Sequence, residues 1–192
     1  MTPGRAAPLD ARRTRPLEGG PSFPLRHRLF RAAWTLAWTL LARWTPPPFH
    51  PWRRLLLRAF GARLAPTARV YASARIWYPP NLAMGPHSSL GPHATCYAMD
   101  RVTIGAYATV SQGAQLCGGT HNVDARHFQL LTRPIAIGDH AWIAADAFVG
   151  PGVTVGEGAV LGARAVAFRD LAPWTIHVGN PARLLRTRGR DE

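Results

Sequence analysis

The chain has no lysine. All 23 of its basic residues are arginine, set against ten aspartates and glutamates, for a formal charge of +13 over 192 residues. With alanine and proline also abundant, this pattern matches the coding bias of a GC-rich genome, so the charge alone does not signal nucleic acid. Thirteen arginines fall within residues 1–69, where the only acids are Asp10 and Glu18. Aromatic RNA-binding and helix-turn-helix patterns are missing, so no nucleic-acid partner is expected. The charge suits anionic membrane lipid or an anionic cofactor. Cysteine is scarce too: Cys96 and Cys117 make neither a disulfide framework nor a CxxC metal knot. Long apolar runs are absent. The longest uncharged helical stretch, residues 32–42, falls short of the ~20 residues a spanning helix needs. No apolar core with a cleavage site follows Met1, so the protein is expected to stay in a reducing cytoplasm.

What the chain does have is a period of six. Ile137, Ile143, Val149, Val155, Leu161 and Ala167 recur at that spacing, and Gly138, Gly150, Gly156 and Gly162 follow four of them. Helices repeat near 3.6 and half-buried strands near 2, so neither accounts for the pattern alone. Short strands joined by turns do, with one aliphatic side chain directed inward per hexad. Stacked hexads predict a parallel β-helix, in which each coil buries its inner side against its neighbours. Earlier anchors are Val70, Ile76 and Leu82; Met84, Leu90, Cys96 and Val102; and Ile104, Val110 and Leu116. The register slips by two after Leu82 and after Val102, as enlarged corners would produce. At three hexads per coil the anchors make about five coils. Cys96 is itself an anchor and is expected to behave as a small core hydrophobe.

In chain order, residues 1–22 are rich in Arg, Pro and Gly and are expected to be a disordered arm. Residues 23–62 form a helical extension. Phe30, Trp34, Trp38 and Leu41 recur at helical spacing between arginines, Pro46–Pro48 stop that helix, and a second helix runs from Trp52 to Phe60. The first helix, within 24–44, either covers the flank or open end of the β-helix or lies in a membrane interface with its tryptophans at headgroup level. Residues 63–178 form the β-helix, interrupted by a polar loop over 117–134, where function is expected to reside. Residues 179–192 are an Arg-rich tail.

Three features carry a family resemblance. They are the hexads, the interruption with Gly119-Thr120-His121, and the ending Gly179-Asn180-Pro181-Ala182-Arg183. Together they resemble the hexapeptide-repeat O-acetyltransferases, and within them the colanic-acid-biosynthesis type related to the maltose and galactoside acetyltransferases. Ser111-Gln112-Gly113, Leu116-Cys117 and the front-end segments Trp52-Arg53-Arg54 and Leu56–Ala62 match the same subgroup. The resemblance covers about residues 22 to 188. It implies a left-handed helix, a homotrimer, acetyl-CoA as donor, a sugar or glycan acceptor, and active sites between neighbouring subunits.

Transfer of an acetyl group to a sugar hydroxyl needs a base, and an imidazole titrating near neutrality suits that task. His121 sits in the polar interruption and matches the family's catalytic histidine. Its second ring nitrogen needs an orienting acceptor: Asp124, a backbone carbonyl or a neighbouring subunit would each serve. The resemblance places the pantetheine arm along the Trp142–Ala145 coil, whose N–H groups would face the oxyanion. Ala145 and Ala163 line this groove, and Arg169 and Arg186 lie near the nucleotide phosphates. Trp142 either shapes the acceptor pocket or stacks on the next subunit. Two departures stand out. Relatives carry an acceptor-contacting asparagine where this chain reads Tyr97-Ala98-Met99-Asp100, and the last coil ends in Ala167-Phe168-Arg169 rather than Val-Thr or Val-Lys. His87 and His93 repeat one Gly-Pro-His turn. They keep open a zinc-dependent carbonic-anhydrase-like alternative, although no metal site is assigned. A non-catalytic scaffold binding lipid or protein is the remaining alternative.

Overall fold

A computed structural model describes residues 7–189. The hexads wind as three strands per coil. The first coil carries β1 (Arg63–Leu64), β2 (Arg69–Val70) and β3 (Arg75–Ile76). The second has β4 (Leu82–Met84), β5 (Ser89–Leu90) and β6 (Thr95–Tyr97), and the third has β7 (Val102–Ile104), β8 (Thr109–Val110) and β9 (Gln115–Cys117). A hairpin of β10 (Gly119–His121) and β11 (Leu130–Thr132) then leaves the column. The fourth coil is β12 (Ile135–Ile137), β13 (Trp142–Ile143) and β14 (Phe148–Val149), and the fifth is β15 (Thr154–Val155), β16 (Val160–Leu161) and β17 (Val166–Ala167). A partial sixth coil brings β18 (Thr175–Val178) parallel to β16, and β19 (Arg183–Thr187) folds back on β18 antiparallel. Strands stack in parallel as three faces: β1-β4-β7-β12-β15, β2-β5-β8-β13-β16-β18, and β3-β6-β9-β14-β17. Residues 183–187 are therefore a paired edge strand.

The core is two columns on each face. The aliphatic anchors point inward, and two residues before most of them an alanine packs under the turn. Ala68, Ala74, Ala94, Ala108, Ala114, Ala141, Ala147, Ala159 and Ala165 are all at most 1 % exposed. These alanines lie on the second and third faces, where Ser88 takes the place of one; on the first face the same position holds Leu82, Val102, Ile135 and Val153, also buried. The third residue of these turns is left-handed, as at His87, His93, Tyr107, His140, Asp146 and Arg164, the geometry a type II turn demands. Cys96 stacks between Ile76 and Leu116 and is fully buried, which pushes its thiol up to about 12.

Both register slips have one cause. Leu82 and Met84 both face inward on β4, and Val102 and Ile104 both face inward on β7. The extra residues precede these strands, at 77–81 and 98–101, on the corner between the third and first faces. Residues 118–134 leave from that same corner one coil later. The enlarged corners thus build a pedestal for the hairpin: a Cβ at Gly119 would collide with Met99 Sδ beneath it.

The helical extension closes the open end. Helix α1 spans Ala11–Thr14, α2 spans Leu25–Leu41 and α3 spans His50–Ala59. Helix α3 turns its arginines onto the unpaired carbonyls of the first coil. Arg53 donates to Val70 (2.7 Å), Arg54 to Ala68 (2.9 Å) and Arg58 to Leu64 (2.6 Å). This is edge protection by guanidinium in place of a further strand. Helix α2 packs through Trp34 and Trp38, and Trp34 Nε1 donates to the Ile76 carbonyl at 2.7 Å. Among the described residues no helix is long and apolar enough to cross a membrane.

The disorder expected of residues 1–22 is corrected for residues 7–22, while residues 1–6 lie outside the described residues. Leu9 N–H bonds the Ser22 carbonyl at 2.9 Å, Asp10 caps α1, Ala11 is buried, and Phe23 packs with Met99 and Leu130. Two apolar anchors and one side-chain clamp hold the arm, described next.

Candidate active site

His121 closes strand β10 and pairs across the hairpin with Leu130. Its Nδ1 lies 2.9 Å from the Phe128 carbonyl oxygen, and its ring stacks on Phe128 at 4.3 Å and 14°. A carbonyl only accepts, so Nδ1 carries the proton and Nε2 keeps its lone pair. The orienting acceptor left open above is thus a backbone carbonyl. Asp124 instead sits at the exposed hairpin tip, its N–H bonded to Asn122 Oδ1. Phe128 takes a left-handed φ of 50° that turns its carbonyl back toward the imidazole.

The hairpin is clamped from outside. Gln129 Oε1 accepts the Ala11 N–H at 2.7 Å, while its Nε2 donates to the carbonyls of Leu9 (3.1 Å) and Leu130 (3.0 Å). Below it, the segment that departs from the family's asparagine is a closed floor: Ala98, Met99 and Asp100 are all buried.

The residues expected to hold cofactor fall into three groups. Ala145 and Ala163 occupy one turn position on consecutive coils, at the corner between the second and third faces, where the Arg164 N–H bonds the Ala145 carbonyl at 2.9 Å. Among the described residues no acceptor meets the N–H of either alanine, whereas those of Trp142 and Ala144 are engaged by Ala159 and Leu161. Trp142 projects from the second face, half exposed, its Nε1 donating to Ser111 Oγ at 2.8 Å. Arg169 lines a 360 Å³ cavity at the C-terminal end, together with His177 and Arg183. Arg186 lies on β19 opposite Ile176, outside that cavity. Arg183, absent from the expected set, enters the sequence reading only as the last residue of the Gly179-Asn180-Pro181-Ala182-Arg183 ending.

One chain does not unite these pieces. The His121 hairpin and the Ala145–Ala163 turns stand on opposite edges of the third face. His87 and His93 stand on two different corners, and His87 stacks on Tyr107, which stacks in turn on His140. Among the described residues no three His, Cys, Asp or Glu side chains gather as a metal-ligand set.

A three-faced column of hexads with a histidine hairpin at one enlarged corner defines a hexapeptide-repeat transferase. A family model described as bacterial transferase hexapeptide (six repeats) matches residues 134–167. The chain is 38% identical over 159 residues, 83% of its length and 87% of the relative's, to the Escherichia coli (strain K12) protein WcaF, named as a colanic acid biosynthesis acetyltransferase. With it, the chain belongs to the hexapeptide-repeat acetyltransferases. The fold matches a maltose O-acetyltransferase from Clostridium difficile 630 with a TM-score of 0.77, at 24% identity over 87% of this chain and 90% of that one. It also matches the acetyltransferase VCA0836 from Vibrio cholerae O1 biovar eltor, complexed with acetyl-CoA, with a TM-score of 0.76, at 23% identity over 85% and 89%.

Proposed function

We propose that the protein transfers an acetyl group from acetyl-CoA to a sugar hydroxyl during exopolysaccharide or lipid-linked glycan assembly, with His121 as general base. The observation that carries this reading is the 2.9 Å contact from His121 Nδ1 to the Phe128 carbonyl, which leaves Nε2 free to take a proton. Nε2 removes the hydroxyl proton as the sugar oxygen forms its bond to the thioester carbonyl carbon. The resulting oxyanion is met by an N–H such as that of Ala145. Collapse breaks the carbon–sulfur bond, and the imidazolium returns its proton to the coenzyme A thiolate. The acetyl-CoA complex of the Vibrio cholerae relative supports this donor.

Because hairpin and turns sit on opposite edges of one face, a second copy must bring the pantetheine groove to His121. A homotrimer meets that need, with Arg169 and Arg186 reaching the nucleotide phosphates. His121→Ala should retain assembly and acetyl-CoA-dependent thermal stabilisation but lose turnover by at least ~10². Undiminished turnover would remove His121 from the mechanism.

A peripheral membrane position completes the reading. The face of α2 opposite Trp34 and Trp38 presents Leu25, Leu29, Leu36 and Leu40, each 59 to 64 % exposed, with Arg26, Arg28 and Arg43 alongside and no acid within the helix. Such a face suits the cytoplasmic surface of an anionic bilayer. Sedimentation with phosphatidylglycerol vesicles but not phosphatidylcholine vesicles, abolished by Leu29→Glu with Leu36→Glu, tests it; equal recovery with both lipids refutes it.

A further inference from the structure

The strands of the first coil differ from all those stacked on them. Each has one outward side chain, and in all three it is an exposed arginine: Arg63 on β1, Arg69 on β2 and Arg75 on β3. In register with them the second coil has Ala83, Ser89 and Thr95, and the third has Thr103, Thr109 and Gln115. Among the described residues no later strand of the three faces carries a charge at that position. A collar of guanidinium groups, one per face, thus surrounds the column only at its helix-capped end.

Beneath the collar the surface is apolar. Helix α3 lies across the first coil, with Leu56 and Leu57 buried toward the column and Leu55 turned away from it. Leu55, Trp52 and Phe49 continue into Leu40, Leu41 and Trp44 at the end of α2, and these six are 39 to 72 % exposed. The indoles fix the junction: Trp44 Nε1 donates to the Leu40 carbonyl and Trp52 Nε1 to the Leu41 carbonyl, both at 2.7 Å. Their polar edges are satisfied on the helix terminus, which leaves apolar ring surface outside. Trp34 and Trp38, by contrast, are buried against the column. An apolar patch of this kind, rimmed by charge, marks a binding surface.

Charge selects the occupant. Between Glu18 and Asp100 the sequence has ten arginines and no acid, a span that includes α2, α3 and the first two coils. A second copy docked base to base would bring two such sets of arginines together, and like charges oppose that contact. An anionic bilayer reverses the sign. Its acyl boundary takes the leucines, its headgroup layer takes the tryptophans, and its phosphates meet the arginines. The dimensions agree: a helix is ~10 Å thick, so the collar reaches the headgroups once the outer face of α3 has sunk by ~5–10 Å.

We infer that the helix-capped end of the column is a docking surface for an anionic phospholipid bilayer, with the first coil at headgroup level. This rests on the peripheral membrane reading and adds the orientation to it. The base enters the bilayer, α2 meets it through its C-terminal turns, and the end that carries Arg169 and Arg186 faces the water. The His121 hairpin leaves after the third coil, two strand spacings and one helix thickness from the outer face of α3, or ~20 Å.

The test is sedimentation of the purified full chain with phosphatidylglycerol vesicles, together with quenching of its tryptophan emission by brominated phosphatidylglycerol. Wild type should bind, less so with added salt, and be quenched. Leu55→Glu should lower the partition coefficient at least tenfold, as should Arg63→Gln combined with Arg69→Gln, and Trp44→Ser should remove most of the quenching. Leu185→Glu, equally exposed at the opposite end, should change nothing. All these side chains are exposed, so thermal melts should match wild type and exclude misfolding as the cause. If Leu55→Glu and the double arginine variant bind like wild type while Leu29→Glu with Leu36→Glu does not, the base is not the docking surface, although the protein is still peripheral. If wild type binds no phosphatidylglycerol, the inference falls together with the peripheral reading. A smaller assembly of Leu55→Glu without lipid also overturns it, by making the patch a contact between copies. None of these readouts is turnover, so the role of His121 is judged separately.

Discussion

The arm that clamps the hairpin allows a sharp test of how His121 is positioned. Gln129→Leu keeps the volume of the side chain and removes all three of its hydrogen bonds. Two of them, to Ala11 at 2.7 Å and Leu9 at 3.1 Å, are what tie the arm to the hairpin. At a net ~0.5–1.5 kcal/mol each they contribute about 1–3 kcal/mol, and the buried Ala11 N–H is left unpaired. The hairpin retains its own pairing, Gly119 to Thr132 through His121 to Leu130, so it will not unfold. What loosens is residue 128, one position from the clamp, whose carbonyl fixes the imidazole tautomer. Misplacement of a reacting group by ~1 Å can cost ~10²-fold. A partial loss, about tenfold in kcat, is the expectation. KM for acetyl-CoA should hold, because the Ala145 and Ala163 turns stand on another corner. Deleting residues 1–22 should give the same defect, and combining both changes should add little, since they break one contact. Steady-state kinetics and imidazole nitrogen shifts would report these effects. If Gln129→Leu keeps kcat within about twofold while His121→Ala is inactive, the clamp does not position the base.

Two further perturbations probe the extension. Arg53 is fully buried and donates to neutral oxygens of Val70, Thr45, Pro46 and Pro47 at 2.7 to 3.3 Å. Arg53→Met should cost ~3–5 kcal/mol by stranding those acceptors, and Arg53→Lys should fail to rescue because an ammonium cannot reproduce the fork. A thermal melt within ~2 °C of wild type would contradict both. His27, stacked at 4.7 Å on Phe23 and 4.3 Å from Tyr78, is pushed down from 6.5 to about 4 by burial and then by Arg31 and Arg26. The unfolded chain then binds a proton at this site that the folded chain refuses. The contribution is therefore intact above pH 6.5 and lost as pH falls toward 4, amounting to about 3 kcal/mol. His27→Phe should flatten that part of the acid limb in pH-dependent melts; an unchanged limb would show that other groups set it.

Why some of this was legible and some was not follows from what each feature needs. A column of identical coils repeats its demands every six residues, so the aliphatic anchors declare themselves, and the one break in the period marks the hairpin. The alanines at the inner side of each turn are as periodic as the anchors, yet in an alanine-rich chain they pass for compositional bias. The arginines mislead in the same way. Arg53, Arg54 and Arg58 look like part of a basic surface, but they exist to satisfy carbonyls at an open coil end, a need that appears only once the end is seen. The arm fails for a different reason. Its order depends on Gln129, more than a hundred residues away, and no local composition carries that information.

The orienting group for His121 is the most instructive case. Sequence reasoning leaves the acceptor open among Asp124, a backbone carbonyl and a neighbouring subunit, because only a carboxylate is visible as a letter. The structure uses the Phe128 carbonyl, which every residue type possesses, aimed by a left-handed backbone at 128 and an arm clamped at 129. An acceptor of this kind fixes the ring proton on Nδ1 and leaves the Nε2 lone pair unshared. A backbone oxygen is thus enough to set the tautomer of the ring. The same choice erases its trace from the residue code and moves the selective burden onto the residues that shape the hairpin.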